Sequence, residues 1–286
     1  MRLPRFDRFF SICLASVLPR RSEVSRNRCV PILMYHSISD DPETGVSPYY
    51  RLATPPDLFK KHLQILQQEG FRVVPIQEAV NSLSGSMMEA TKLAVITFDD
   101  GFRDFQLNAW PALQEAKFTA TVFLPTAFIA EPRRSFVGRE CLTWAEIRNL
   151  RAQGIHFGSH THSHPKLSSL TTDGMREELT RSRTEMERNI QEPITTFCHP
   201  YAFPSADTDY VKRYRLVLAE SGYSVATSTI LGRAQNTTDP LLLPRLPING
   251  MDDPAFFRAK ILGAYDWTAG VQGVVKRARR LLKRAA

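Results

Sequence analysis

Along most of this chain, short β-type runs alternate with helical stretches, and that rhythm limits the fold more than any other feature. Eight runs rich in β-branched and aromatic residues fall at 31–35, 71–74, 93–98, 120–124, 155–159, 194–198, 224–227 and 241–246. Helical stretches of roughly 10–20 residues separate them, the spacing of βα units around a parallel sheet. About seven or eight such strands close into a barrel, so the expected fold is α/β, a (β/α) barrel. Local signals agree. Gly70 ends a helix over 57–69, Thr143-Trp144-Ala145-Glu146 is a capping box, and 175–190 reads as a long charged surface helix. In a barrel of this kind chemistry belongs to the loops at the C-terminal ends of the strands.

Charge divides the chain into three parts. Residues 1–28 carry seven arginines against Asp7 and Glu23, and residues 271–286 carry six Lys or Arg and no acid. The ends thus hold eleven net positive charges, while the whole chain has +8, which leaves the intervening body at −3. A nucleic-acid binder places its basic stripe on the folded body, so that class is excluded. We therefore expect a catalytic domain over 29–270, a basic N-terminal segment over 1–28 and a basic amphipathic helix over 271–286. The apolar run Phe9 to Leu18 is too short to cross a bilayer, which needs about 20 residues. No small-residue cleavage site follows it. Positions 274, 275, 278, 281 and 282 share one helical face, so both ends suit an anionic membrane surface. The expected location is the cell envelope or a membrane, the cytoplasmic face ahead of secretion. Cys13, Cys29, Cys141 and Cys198 lie far apart and are expected to be reduced thiols.

Five motifs fall at strand ends. Thr97-Phe98-Asp99-Asp100-Gly101 delivers two adjacent carboxylates at the end of a hydrophobic strand. Such neighbours repel unless they share a proton or a cation; alone, an Asp-Asp-Gly is more often a solvated turn. Ser159-His160-Thr161-His162-Ser163-His164-Pro165 holds three of the seven histidines within five residues, and imidazole suits zinc and related ions. A 160/164 pair needs a turn, whereas 160/162 suits an extended strand. The strand end and Pro165 favour 160/164, with His162 a bystander. The other three are Cys198-His199-Pro200-Tyr201, Met34-Tyr35-His36-Ser37 and Leu243-Pro244-Arg245-Leu246-Pro247. A barrel would bring all five to one rim.

Taken together, TFDDG, SHTHSH, Pro200-Tyr201 and the opening PILMYHSI resemble the polysaccharide deacetylases with a NodB-homology domain, carbohydrate esterase family 4, over about residues 30–250. The YHSI opening is similar to the bacterial exopolysaccharide and poly-N-acetylglucosamine deacetylases. The resemblance implies a distorted (β/α) barrel and one divalent metal, Zn2+ first, with Co2+, Ni2+ or Mn2+ as alternatives. It implies Asp100, His160 and His164 as metal ligands, Asp99 as general base and the Tyr201 backbone N–H as oxyanion donor. Its substrate would be an N-acetylated glycan or glycolipid. Two departures follow. The family's Arg three positions before the Tyr is Cys198 here, for which Arg245 is the candidate replacement beside the base. The C-terminal catalytic His motif is absent, which points to His36 as general acid, protonated when it acts.

Other readings fit less well. Metallo-β-lactamase-type hydrolases need an Asp where His164 stands, and amidohydrolases carry their paired histidines on the first strand. A catalytically inactive carbohydrate-binding relative is the alternative from another class, raised by Cys198 and opposed by the intact Asp99, Asp100, His160 and His164. Trp110 and Trp144 are expected in the core. Tyr49 and Tyr50 are expected either to stack on a sugar or to close the barrel. Cys198 is expected to be a small buried residue, since no base activates it.

Overall fold

The computed structural model describes residues 6–17, 29–85 and 91–272. Seven of the eight β-type runs join one closed ring. The strands β1 (Ile32–Tyr35), β2 (Lys92–Phe98), β3 (Thr121–Leu124), β4 (His156–Ser159), β5 (Thr196–Cys198), β6 (Val225–Leu231) and β7 (Leu243–Pro247) each pair in parallel with the next. β7 pairs back to β1 and closes the barrel. The remaining run, Phe71–Val73, lies outside the ring. It pairs only with residues 92–94, the first half of the β2 edge that β3 takes over from Thr97 onward. The barrel is distorted: β4 meets β5 at a single register pair, and β6 shifts register against β7 between Thr227 and Leu231.

Helices cover the ring: α2 (Pro56–Gln68), α3 (Ile76–Ser84), α4 (Trp110–Ala116), α5 (Trp144–Ala152), α6 (Thr172–Ile190), α7 (Thr208–Glu220) and α8 (Pro254–Ile261), with α1 (Phe6–Val17) packed on α8. The capping box at Thr143 and Glu146 opens α5. α6 starts earlier than the charge pattern indicates, because Thr171 caps it by accepting from the Gly174 N–H. Along the expected run 241–246, residues 240–242 form a 3-10 turn and the strand begins at Leu243. The expected amphipathic helix falls on residues 273–286, outside the described residues.

Successive strand residues face opposite sides, and this parity explains both core and site. Ile32, Val95, Phe123, Cys198, Val225 and Leu243, one from each of six strands, pack inside the barrel with α3. Their neighbours Leu33, Ile96, Val122, Phe197, Ala226 and Leu246 pack outward in the larger core under the helices. On β4 the inward position is Gly158, where a Cβ would lie 2.6 Å from the Phe123 ring and from the Thr196 hydroxyl.

Candidate active site

Four residues beyond Ile32 and Val95, and two beyond Gly158, the same parity brings His36, Asp99 and His160 inward at the C-terminal ends of β1, β2 and β4. Within β7 it turns Arg245 inward beneath them. Asp100 has the wrong parity, and a left-handed backbone (φ 70°), continued at Gly101 (φ 60°), turns it back toward the rim. His164 is returned in the same way, through Thr161 (φ 69°) and its own φ of 57°. Its N–H donates to the Thr161 hydroxyl at 3.0 Å.

Asp100, His160 and His164 converge. Asp100 Oδ1 lies 3.6 Å from His160 Nε2 and 3.4 Å from His164 Nε2, and the two imidazoles meet edge to face at 4.8 Å. His160 Nδ1 bonds the Cys198 carbonyl at 2.8 Å, which fixes Nδ1 as the protonated nitrogen and leaves the Nε2 lone pair toward Asp100. Asp100 Oδ1 is buried with no hydrogen-bond partner. Without a cation, burial pushes its carboxyl up to about 6 and the His164 imidazole down to about 3. One unpartnered carboxylate oxygen facing two imidazole nitrogens fits a borderline divalent ion. Asp99, His160 and Cys198 form a second possible ligand set. It is the poorer one, because both Asp99 oxygens are already engaged and burial raises the Cys198 thiol well above its ordinary pKa.

Asp99 is held differently. Arg245 grips it with two parallel bonds, Nη1 to Oδ1 at 2.7 Å and Nη2 to Oδ2 at 2.8 Å. The guanidinium is itself fixed by the Ser228 carbonyl at 3.1 Å and the Thr97 hydroxyl at 3.2 Å, and touches Cys198 Sγ at 3.1 Å. Burial opposes ionisation of Asp99, but Arg245, with His160 and His36 nearby, holds its carboxyl well below the usual carboxylate range. His36 Nε2 stands 3.9 Å from Asp99 Oδ2. Burial lowers its pKa to about 4, against the smaller raising effect of Asp99. Burial thus favours the neutral ring in the resting protein.

Known proteins carry the same arrangement of strands. Residues 88–225 match the family described as Polysaccharide deacetylase. The chain is 28% identical over 229 residues to YxkH of Bacillus subtilis (strain 168), named as a polysaccharide deacetylase, covering 79% of this chain and 74% of that one. The solved Streptococcus pyogenes deacetylase PplD, in complex with acetate, superposes with a TM-score of 0.69 at 25% identity, covering 82% of this chain and 98% of PplD. IcaB from Ammonifex degensii has the same fold, with a TM-score of 0.66 at 23% identity over 82% of this chain and 97% of its own.

Residues 88–225 carry a polysaccharide deacetylase domain.

As a polysaccharide deacetylase it is a hydrolase of N-acetyl groups on carbohydrate. In this deacetylase the remaining expected residues fall as follows. His162 turns away from the rim, with Nδ1 at 2.9 Å from the Thr126 hydroxyl and 3.3 Å from Glu185. Tyr201 adopts φ 58° and packs its half-exposed ring edge-on against His164 at 4.8 Å. Trp144 is buried, whereas Trp110 is only partly covered and donates to Gln153. Tyr49 and Tyr50 are exposed and do not close the barrel. Sequence reasoning missed the clamp behind His36. Asp104 accepts from the Ser37 hydroxyl and the Ile38 N–H, and Arg139 donates to Ser37 at 2.9 Å and to Asp41 at 2.7 Å. Ser37 and Arg139 are 102 residues apart, so no local pattern could have joined them. Phe136, on the hairpin that also carries Arg139, packs against the His164 ring at 4.9 Å.

Proposed function

We propose that this deacetylase removes N-acetyl groups from a polysaccharide of the bacterial exopolysaccharide or cell-envelope type by metal-assisted amide hydrolysis. The observation that carries the reading is the pairing, on one rim, of a convergent Asp-His-His cluster with a buried carboxylate locked by arginine. Asp100, His160 and His164 would hold the ion, Zn2+ first and Co2+, Ni2+ or Mn2+ as alternatives. A divalent ion there supplies Lewis acidity, lowering the pKa of water and polarising the acetyl carbonyl.

The chain's own groups do the rest. Asp99, ionised across the working pH range, accepts the proton from the attacking water. Arg245 keeps both of its oxygens oriented for that transfer. The Tyr201 N–H donates to the oxyanion; losing one such donor typically costs about 10²–10³ in rate. His36, neutral at rest and 3.9 Å from Asp99 Oδ2, takes up a proton during turnover and delivers it to the departing amine, which leaves poorly without one. The products are acetate and a free amino sugar. Arg245 occupies the neighbourhood of Cys198, so the departure at that position does not favour an inactive relative. Among the described residues no helix is long and apolar enough to cross a membrane.

The test is metal content together with acetate release from N-acetylglucosamine oligomers and polymer. Wild type should hold about one Zn2+ and release acetate. Asp99→Asn should keep the metal and lose about 10³-fold or more in kcat, within the range of general-base catalysis, while His160→Ala should lose both. A wild type that binds no divalent ion after reconstitution, or an Asp99→Asn variant with full turnover, would sink the proposal.

A further inference from the structure

Helix α1 is docked through Ser11, Asp7 and Arg8, with Ile12 partly buried against the core. Ser11 is buried and accepts from the Trp267 indole N–H at 3.1 Å. Asp7 accepts from the Tyr49 hydroxyl at 2.9 Å and from the Tyr265 hydroxyl at 3.3 Å. Arg8 donates to Asp253 at 2.6 Å. The opposite face carries Phe6, Phe9 and Phe10, which are 70%, 69% and 53% exposed, followed by exposed Cys13; Phe10 stands at its border, edge-on against the Trp267 ring at 5.0 Å. These positions are spaced i, i+3, i+4, i+7 and form one stripe. An amphipathic helix on a globular body normally turns that stripe toward the core, and a contiguous exposed apolar patch marks an interaction site.

The stripe continues onto the loop after β1. Tyr49, tied to Asp7, and its neighbour Tyr50 are 55% and 76% exposed. That loop leaves the catalytic end of β1, and Asp253 lies in the segment leaving the same end of β7, so the patch borders the rim that carries His36. Both charged ends of the chain adjoin this region in sequence. Residues 1–5 run straight into Phe6, and the segment bearing Tyr265 and Trp267, on which α1 rests, runs on to residues 273–286. Residues 1–5 carry Arg2 and Arg5, and residues 273–286 carry six Lys or Arg and no acid, against −3 for the body.

We propose that the outer face of α1, with the Tyr49–Tyr50 turn beside it, docks on an anionic lipid membrane. Phenylalanine and tyrosine next to a basic surround is the chemistry of interfacial anchors, in which aromatic rings enter the headgroup boundary and Arg or Lys meets lipid phosphate. A second copy of the chain is the less favoured occupant, because it would bring two sets of positively charged ends together. Docking in this way sets the catalytic rim beside the membrane, within reach of membrane-proximal glycan. The proposal does not depend on which metal or sugar the site takes.

The test uses the full chain in flotation with phosphatidylcholine vesicles, with and without about one-third phosphatidylglycerol. Wild type should float with the anionic vesicles and far less with the neutral ones. Phe6→Ser/Phe9→Ser should weaken that binding roughly tenfold or more, with acetate release from soluble oligomers unchanged as the control for folding. As a second variant, Phe9→Trp keeps the apolar bulk, and its fluorescence should shift to the blue on anionic vesicles. Any of three results would overturn the proposal: no binding of wild type to anionic vesicles, binding unaffected by the double substitution, or a Phe9→Trp emission that ignores the vesicles. A concentration-dependent dimer that Phe6→Ser/Phe9→Ser dissolves would also overturn it and assign the face to self-association.

Discussion

The two halves of this rim are built on opposite plans. On the ligand side, Asp100 and His164 sit on left-handed backbone, and Asp100 Oδ1 and His164 Nδ1 are buried without partners. Left-handed non-glycine residues and unsatisfied buried polar atoms each cost on the order of 1–3 kcal/mol. That half is frustrated in the bare protein, and a cation held there would satisfy Asp100 Oδ1. On the base side, Asp99, Arg245, Thr97 and Ser228 satisfy one another within the barrel, and Asp99 needs no cation to stay ionised. The difference implies separable behaviour. The ligand side should respond to metal, and the base side should hold its geometry with or without it.

The hardest blow to that division is Arg245→Leu. The substitution leaves the Asp99 carboxylate buried and unpaired, and breaking a buried pair from one side typically costs about 3–5 kcal/mol. Asp99 should then take up a proton at neutral pH, so acetate release should fall by about 10³-fold or more, in the range of losing a general base. Zn2+ content, measured on the folded fraction, should stay near wild type, because Arg245 touches none of the three ligands. Loss of metal in parallel with activity would show the halves to be one unit and end the comparison.

His36→Gln probes the boundary between them more gently. His36 lies 3.9 Å from Asp99 and belongs to no ligand set among the described residues. If it carries the proton to the amine, kcat on N-acetyl substrates should fall about 10²-fold. An activated ester, whose leaving group departs unprotonated, should be cleaved nearly as well as by wild type. Equal losses on both substrates would remove His36 from proton delivery and leave it a positioning residue for Asp99.

The same contrast governs what was legible in the sequence. The ligand side is compact in sequence: Asp99-Asp100 and His160 to His164 are short clusters, and residues 88–225, the part matching the family, contain them all. The base side is assembled from β2, β6 and β7, with Asp99 and Arg245 separated by 146 residues. Only the inward parity of positions 97, 99 and 245 brings them together, and parity is invisible until strand ends and register are fixed. The barrel itself was readable because seven strands keep the βα rhythm. The run 71–74 matches the staves in composition, and its place outside the ring follows from edges already occupied on β2. The turned-out phenylalanines of α1 could not be read either: the sequence shows a hydrophobic stripe, and only Ser11, Asp7 and Arg8 finding partners on the body decides which way it faces.

The smallest expected effect concerns the support behind β1, where His62 is buried neutral. The Tyr35 hydroxyl bonds its Nδ1 at 3.0 Å, its Nε2 bonds the Asp252 carbonyl at 2.6 Å, and its ring stacks on Phe257 at 4.1 Å. Burial lowers its pKa to about 4, with the Asp252 and Asp253 carboxylates opposing and the Lys260 ammonium assisting. Between that value and the 6.5 of an unfolded histidine, the unfolded chain binds a proton that the folded one refuses. Stability therefore falls as pH drops through this window, by at most about 1.4 kcal/mol per pH unit for one group. Above pH 6.5 the residue contributes no slope. His62→Gln can keep both hydrogen bonds but cannot titrate, so urea unfolding at pH 7, 6 and 5 should give a shallower acid slope than wild type. Acetate release at pH 7 should be unchanged, since the ring lies behind β1 rather than on the rim. An unchanged acid slope would mean that His62 is protonated in the folded state. The support under His36 would then carry a charge that Lys260, paired with Asp252 at 2.6 Å, leaves little room for.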